Sequence, residues 1–133
     1  MAHTTASPSD AKTAEIMIEQ LQAVLLRAGG KKAEGSRLLA KTAKTADLEE
    51  TLSYDFGPPV PVKPAHELYA EALLEDGKPQ EAIKQLQLSL AREPKRMLSL
   101  RGLAKAQTAA GDATSAQRTS AELKAFWQDA PLP

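Results

Sequence analysis

The stretch GKPQEA begins at Gly77 and the stretch GDATSA begins at Gly111. Each is a glycine, four residues and an alanine, and the second follows the first by 34 residues. Punctuation repeated at a few tens of residues marks a supersecondary unit that stacks on its own copies. Aligned from Lys63 and from Met97, Ala70, Ala72, Gly77, Ala82 and Ala91 fall on Ala104, Ala106, Gly111, Ala116 and Ala125. Gly77 and Gly111 each close a helical pattern, where a left-handed residue lets the chain turn. A new helix is predicted at once. Pro79 suits a first helical position, and Asp112 suits an N-cap. Ala70 and Ala82 are expected where the two helices of one hairpin press closest, because only small side chains permit that approach.

Larger apolar residues surround these small ones at helical spacing. Leu68, Tyr69, Leu73 and Leu74 mark the first helix of a pair, and Ile83, Leu86 and Leu90 mark the second. Pro94 blocks continuation. In the next unit Leu100, Leu103 and Ala104 repeat the first stripe, and Ala116, Leu123 and Trp127 repeat the second more loosely. A third unit lies upstream. Gly30 is followed five residues on by Gly35, Ala23 matches Ala70, Leu26 matches Leu73, and Leu39 matches Leu86. Ser7-Pro8-Ser9-Asp10 reads as a helix cap, a first-turn proline and an acid near the positive end.

The first two units are separated by 13 extra residues, ETLSYDFGPPVPV at 50–62. Pro58, Pro59, Pro61 and Pro64 favour an extended path. Tyr54 and Phe56 precede them, two of the five aromatic residues in the chain. Either the rings pin this connector to a neighbouring helix or the connector lines a binding groove.

The frame Ala70, Gly77, Ala82 and Pro94 resembles the tetratricopeptide repeat family, whose 34-residue unit is a helix–turn–helix. FGPPVPVKPAHEL also resembles a connector that precedes late repeats in bacterial proteins of this family. The resemblance covers 63–96 well and 97–130 less well. His66 stands where the family often has tryptophan, Leu73 where it has tyrosine, and Leu86 where it has phenylalanine. Ser120 replaces that last residue in the final unit, and Gln128 replaces the closing proline. The resemblance implies an all-α, right-handed α-solenoid of about three antiparallel helix hairpins. The expected parts are a short N-terminus (1–7), a divergent first hairpin (8–49), the connector (50–62), a full repeat (63–96) and a terminal repeat (97–130).

Within such an array the first helix of each hairpin lines the concave face. The family's groove positions map to Glu67, Glu71, Leu74 and Glu75 in the second unit, and to Leu98, Arg101, Lys105 and Thr108 in the third. Ala70, Gly77, Ala82, Pro94, Ala104, Gly111 and Ala116 carry the repeat itself. Glu67/Glu71 and Arg101/Lys105 are each spaced i, i+4, so each pair shares a helix face. The two pairs are 34 residues apart and admit two readings: ion pairs between repeats, or a groove of two signs for a peptide of mixed charge. An acidic C-terminal tail is not the expected ligand, because the second unit offers acids where the family's carboxylate-binding pattern has cations and asparagines.

Composition narrows the function classes. Among 133 residues, 17 Lys and Arg balance 17 Asp and Glu. This is not the cationic surplus of a general nucleic-acid binder or of a polybasic membrane anchor. The chain has no cysteine and only His3 and His66, so thiol chemistry and a His-rich metal site are excluded. No apolar run approaches the roughly 18 residues of a membrane span. MAHTTASPSD lacks the basic start and apolar centre of a signal peptide, which makes a cytoplasmic location the expectation. Gly29-Gly30 lacks the spacing and the strand of a phosphate loop and reads as a helix stop. His66 beside Glu67 reads as a packed or solvated helix-end histidine.

No catalytic residue, cofactor or metal ligand is assigned, and the expected function is a non-catalytic interaction module with a protein or peptide partner. The alternative is a structural piece of a longer array that docks or self-associates through its first helix. AEIMIEQLQAVLLRA, at 14–28, is apolar over more than one face, so a homodimer through 8–28 is a further expectation.

Overall fold

The computed structural model describes residues 8–49 and 64–127. The expectations for the connector, including Tyr54 and Phe56, and for residues 1–7 and 128–133 lie outside the described residues. Within them the chain is all-α, with six helices and no strand. These are α1 (Pro8–Ala28), α2 (Lys32–Glu49), α3 (Ala65–Glu75), α4 (Pro79–Arg92), α5 (Met97–Ala109) and α6 (Ala113–Phe126).

Three of the turns between helices are chemically the same. Gly30, Gly77 and Gly111 have φ of 90°, 73° and 83°. Each glycine amide donates to the carbonyl three residues back: Gly30 to Arg27, Gly77 to Leu74 and Gly111 to Thr108. Each following amide donates five residues back: Lys31 to Leu26, Lys78 to Leu73 and Asp112 to Gln107, all at 2.8–2.9 Å. This double bond pattern satisfies the last carbonyls of a helix and requires a left-handed residue at its centre. The turns place Leu26, Leu73 and Gln107 in one register, as well as Ala23, Ala70 and Ala104. Helices α4 and α6 then start as their sequences direct. Pro79 opens α4. Asp112 caps α6, its Oδ1 accepting from the Ser115 amide at 3.1 Å. Its hydrogen bonds to the Ser115 side chain and backbone hold the carboxyl below its usual pKa.

The chain divides into two compact units, Met1–Leu68 and Tyr69–Pro133. The division falls inside α3 rather than in the connector. The first turn of α3 is tied to α2, since His66 Nε2 lies 2.5 Å from Asp47 Oδ1 in the last turn of that helix. Later turns of α3 pack with α4 and α5.

In the first unit, α1 and α2 form a hairpin. Ala23 is fully buried. Opposite it, a Cβ added to Gly35 would stand 2.7 Å from the Ala23 carbonyl oxygen and 2.5 Å from Arg27 Cγ. The backbones are therefore in direct contact at this point. Ile16, Gln20, Leu39, Thr42 and Ala43 fill the remainder of the seam. Two polar bonds bracket it: Arg27 Nη1 donates to Ser36 Oγ, and Lys41 Nζ donates to Glu19 Oε1, both at 2.6 Å.

In the second unit, Ala70, Leu73, Ala82, Leu86, Leu103 and Ala106 form one buried cluster, flanked by Tyr69, Leu74, Ile83 and Leu90. Ala70 and Ala82 are both fully buried. Leu86 packs against Gly102, where a Cβ would come 3.2 Å from Leu86 Cδ2. Two buried polar pairs join the helices. The Ser89 and Ser99 hydroxyls meet at 2.9 Å between α4 and α5, and Thr119 Oγ1 donates to Gln107 Oε1 at 2.7 Å between α6 and α5.

Where helices cross on fully buried small residues, added volume has nowhere to go. Ala82→Trp should destabilise the second unit by about 1–3 kcal/mol, the usual cost of overpacking. Gly35→Val should do the same to the first. Thermal melting followed at 222 nm checks both, and an unchanged midpoint for either would contradict the crossing described here.

Candidate functional site

One groove in the second unit collects residues from three helices. Glu71, Leu74 and Glu75 come from α3, spaced so that they share a face. Leu98, Arg101, Gly102, Ala104, Lys105 and Ala109 come from α5, and Ser120 and Leu123 from α6. Its volume is about 760 Å3. Small residues make it: Gly102 and Ala104 leave the α5 wall low, and Ser120 takes the place that Leu39 and Leu86 hold in the earlier hairpins. Leu74, Leu98 and Leu123 supply apolar surface, with two acids on the α3 side and two cations on the α5 side. Leu98 is 41% exposed, so this part of the floor is open to solvent.

Six of the eight groove positions mapped from the sequence therefore share one surface: Glu71, Leu74, Glu75, Leu98, Arg101 and Lys105. Thr108 lies elsewhere. Its hydroxyl donates to the Ala104 carbonyl at 2.9 Å, and it borders a separate depression with Gly111, Ala116 and Lys124. Glu67 departs from the expectation, being only 1% exposed. It sits in the first turn of α3, where the positive helix end favours a carboxylate. The sequence reading assigned the groove to first helices alone and so missed Ser120 and Leu123 of α6. Ser120, nine residues after Gly111, was readable from the register of Leu39 and Leu86, which stand nine residues after Gly30 and Gly77.

The charges on the α5 side of the groove stand apart from those on the α3 side. Arg101 and Lys105 form no ion pair with the described residues, and both are exposed. The expected pairing of Glu71 with Lys105 is therefore not made. The groove itself lies between the α3 and α5 rows, with acids lining one side and cations the other.

Groups that could do acid–base chemistry are differently employed. His66 is buried, and its Nε2 is committed to Asp47, joining the end of α2 to the start of α3. Among the described residues no three His, Asp or Glu side chains gather as metal ligands, and no helix is long and apolar enough to cross a membrane. No protein-family model matches the chain, and no curated protein or solved structure matches it either.

A double-mutant cycle on Glu71 and Lys105 should close to within about 0.3 kcal/mol, the additivity expected of sites that do not interact. The cycle is measured by denaturant unfolding at low salt, where any coupling of exposed charges is largest. A coupling energy above about 0.5 kcal/mol would show that the two groups pair in solution.

Proposed function

We propose that the chain is a non-catalytic protein-interaction module of tetratricopeptide type, and that it binds a segment of a partner protein along the groove of α3, α5 and α6. The observation that carries this reading is the pair Arg101 and Lys105. Two cations one helical turn apart stand on a rim without ion-pair partners among the described residues, above an apolar floor. Such a surface gains most from a ligand that covers Leu74, Leu98 and Leu123 while bringing carboxylates to the cations. The acids at Glu71 and Glu75 then favour a basic residue on the ligand's other side. The repeated hairpin turns support the repeat class, and the balanced composition supports a protein ligand over nucleic acid.

The alternative reading is a structural piece of a longer array or assembly. What favours it is α1, whose outer face exposes Ile18, Leu21, Val24 and Leu25. The two readings use different units of the chain and can be separated by mutation.

A display library of about 15-residue peptides, long enough for a few helical turns, should enrich ligands that carry both apolar and acidic residues. Arg101→Glu with Lys105→Glu should weaken them at least tenfold, as measured by fluorescence anisotropy. Raising the salt should weaken wild-type binding in the same direction. Enriched ligands whose affinity ignores both substitutions would move the site away from this groove.

A further inference from the structure

The outer face of α1 carries an exposed apolar seam. Residues 11, 14, 18, 21, 25 and 28 follow one another at intervals of three, four, three, four and three, which is the seam of a coiled coil. They are Ala11, Ala14, Ile18, Leu21, Leu25 and Ala28, and all six are exposed. The exposures of Ile18, Leu21 and Leu25 are 56%, 61% and 63%. The inward seam of Ile16, Gln20 and Ala23 lies on the opposite side, buried against α2. Nothing apolar in the first hairpin needs the outer face.

The interval pattern reads the same in both directions. Turned end over end, the seam falls on itself with Ile18 beside Leu21, Ala14 beside Leu25 and Ala11 beside Ala28 of the other copy. Small residues then face large or small ones, and the bulkiest pair sits at the centre. A twofold axis also brings like flanks together. On one flank Met17 meets Val24, both apolar. On the other Glu15 meets Gln22, whose amide can donate to the carboxylate. Glu15 is already paired with Lys12 on its own helix, at 3.4 Å. No two like charges are brought together by this register.

We propose that α1 is an isologous dimer interface, in which the α1 helices of two copies pack antiparallel in this register. The occupant of the exposed face is a second copy because the seam matches its own reversal in spacing and the reversal brings no like charges together. One face of a single helix offers less than the roughly 800 Å2 per partner of a standard stable interface. Association through this face alone is therefore weak and reversible. This interface is independent of the groove reading, since it lies in the other unit.

Sedimentation velocity on the full chain from about 1 to 200 μM, bracketing a micromolar constant, should show a reversible shift from monomer to dimer. Ile18→Glu and Leu25→Glu should each keep the chain monomeric across that range. Circular dichroism should leave their helix content unchanged, because both sites are exposed. The register is tested separately. The chain has no cysteine, so introduced ones are the only thiols. Ala14→Cys with Leu25→Cys should cross-link into a covalent dimer on mild oxidation. Ala14→Cys alone should not, because residue 14 of one copy would lie about 16 Å from residue 14 of the other along the axis, beyond the roughly 7 Å reach of a disulfide. A wild-type chain that stays monomeric at 200 μM would overturn the proposal. So would a dimer that survives Ile18→Glu, or cross-linking by Ala14→Cys alone.

Discussion

Close approach of two helices at residues with little or no side chain sets the geometry of the first two hairpins. Gly35 against Ala23 does this in the first unit. Ala82 and Ala70, both fully buried, hold the same places in the second. Every other interaction is arranged around that approach. The glycine turns return the chain at the right distance. Leu39 and Leu86 fall one turn beyond the crossing and fill the space where the helices diverge. Full burial of one such leucine contributes about 1.5–3 kcal/mol. The bridging ion pair Lys41–Glu19 is mostly exposed on the lysine side, and pairs of that kind typically contribute well under 1 kcal/mol. Packing at the crossing decides the fold, and the polar bonds refine it.

The same constraint explains which parts were legible in the sequence. Positive φ, a tight turn and a close crossing each demand particular residues, so Gly77, Gly111, Ala70 and Ala82 announce their roles wherever they stand. Gly35 was legible as a small residue in the right register, and the structure gives it the strictest requirement of all. Glu67 was not legible. Its i, i+4 spacing to Glu71 puts the two on one helix face, but the start of α3 is held against α2 by His66 and Asp47, which spacing cannot show. The expected Glu71–Lys105 pair failed for a related reason. Sequence separation fixes which helices carry the charges, and the distance between rows depends on the side chains below them. Gly102, Ala104 and Ser120 line the groove between those rows.

The last hairpin departs furthest from an apolar seam. Gln107 stands in the register of Leu26 and Leu73, and it accepts a hydrogen bond from Thr119 inside the unit. Ser99 likewise meets Ser89 under full burial. Each pair satisfies groups that would be costly to bury alone, and net gains from such bonds are about 1 kcal/mol. These pairs work as register pins more than as sources of stability. A one-residue slip of α5 would strand both Ser99 and Gln107 without partners, whereas a leucine seam tolerates small shifts. A groove lined by α5 benefits from that fixed register, since Arg101 and Lys105 must present themselves on one side.

A helix that must cross its partner closely has to give its inward positions to small or polar residues. In α1 those positions hold Gln20, Ala23 and Arg27, leaving Ile16 as the one large apolar side chain on the buried seam. The larger residues, Ile18, Leu21, Val24 and Leu25, stand outside. Were burial within the hairpin the only demand on this helix, the two faces would be exchanged, for the outer one is the more apolar. Moving α1 by half a turn would bury the leucines but would press Leu21 or Leu25 against Gly35, where there is no room for a Cβ. The close crossing therefore forbids the more apolar face from turning inward. That leaves the outer face with an apolar excess the first hairpin cannot use, and with a spacing that matches its own reversal.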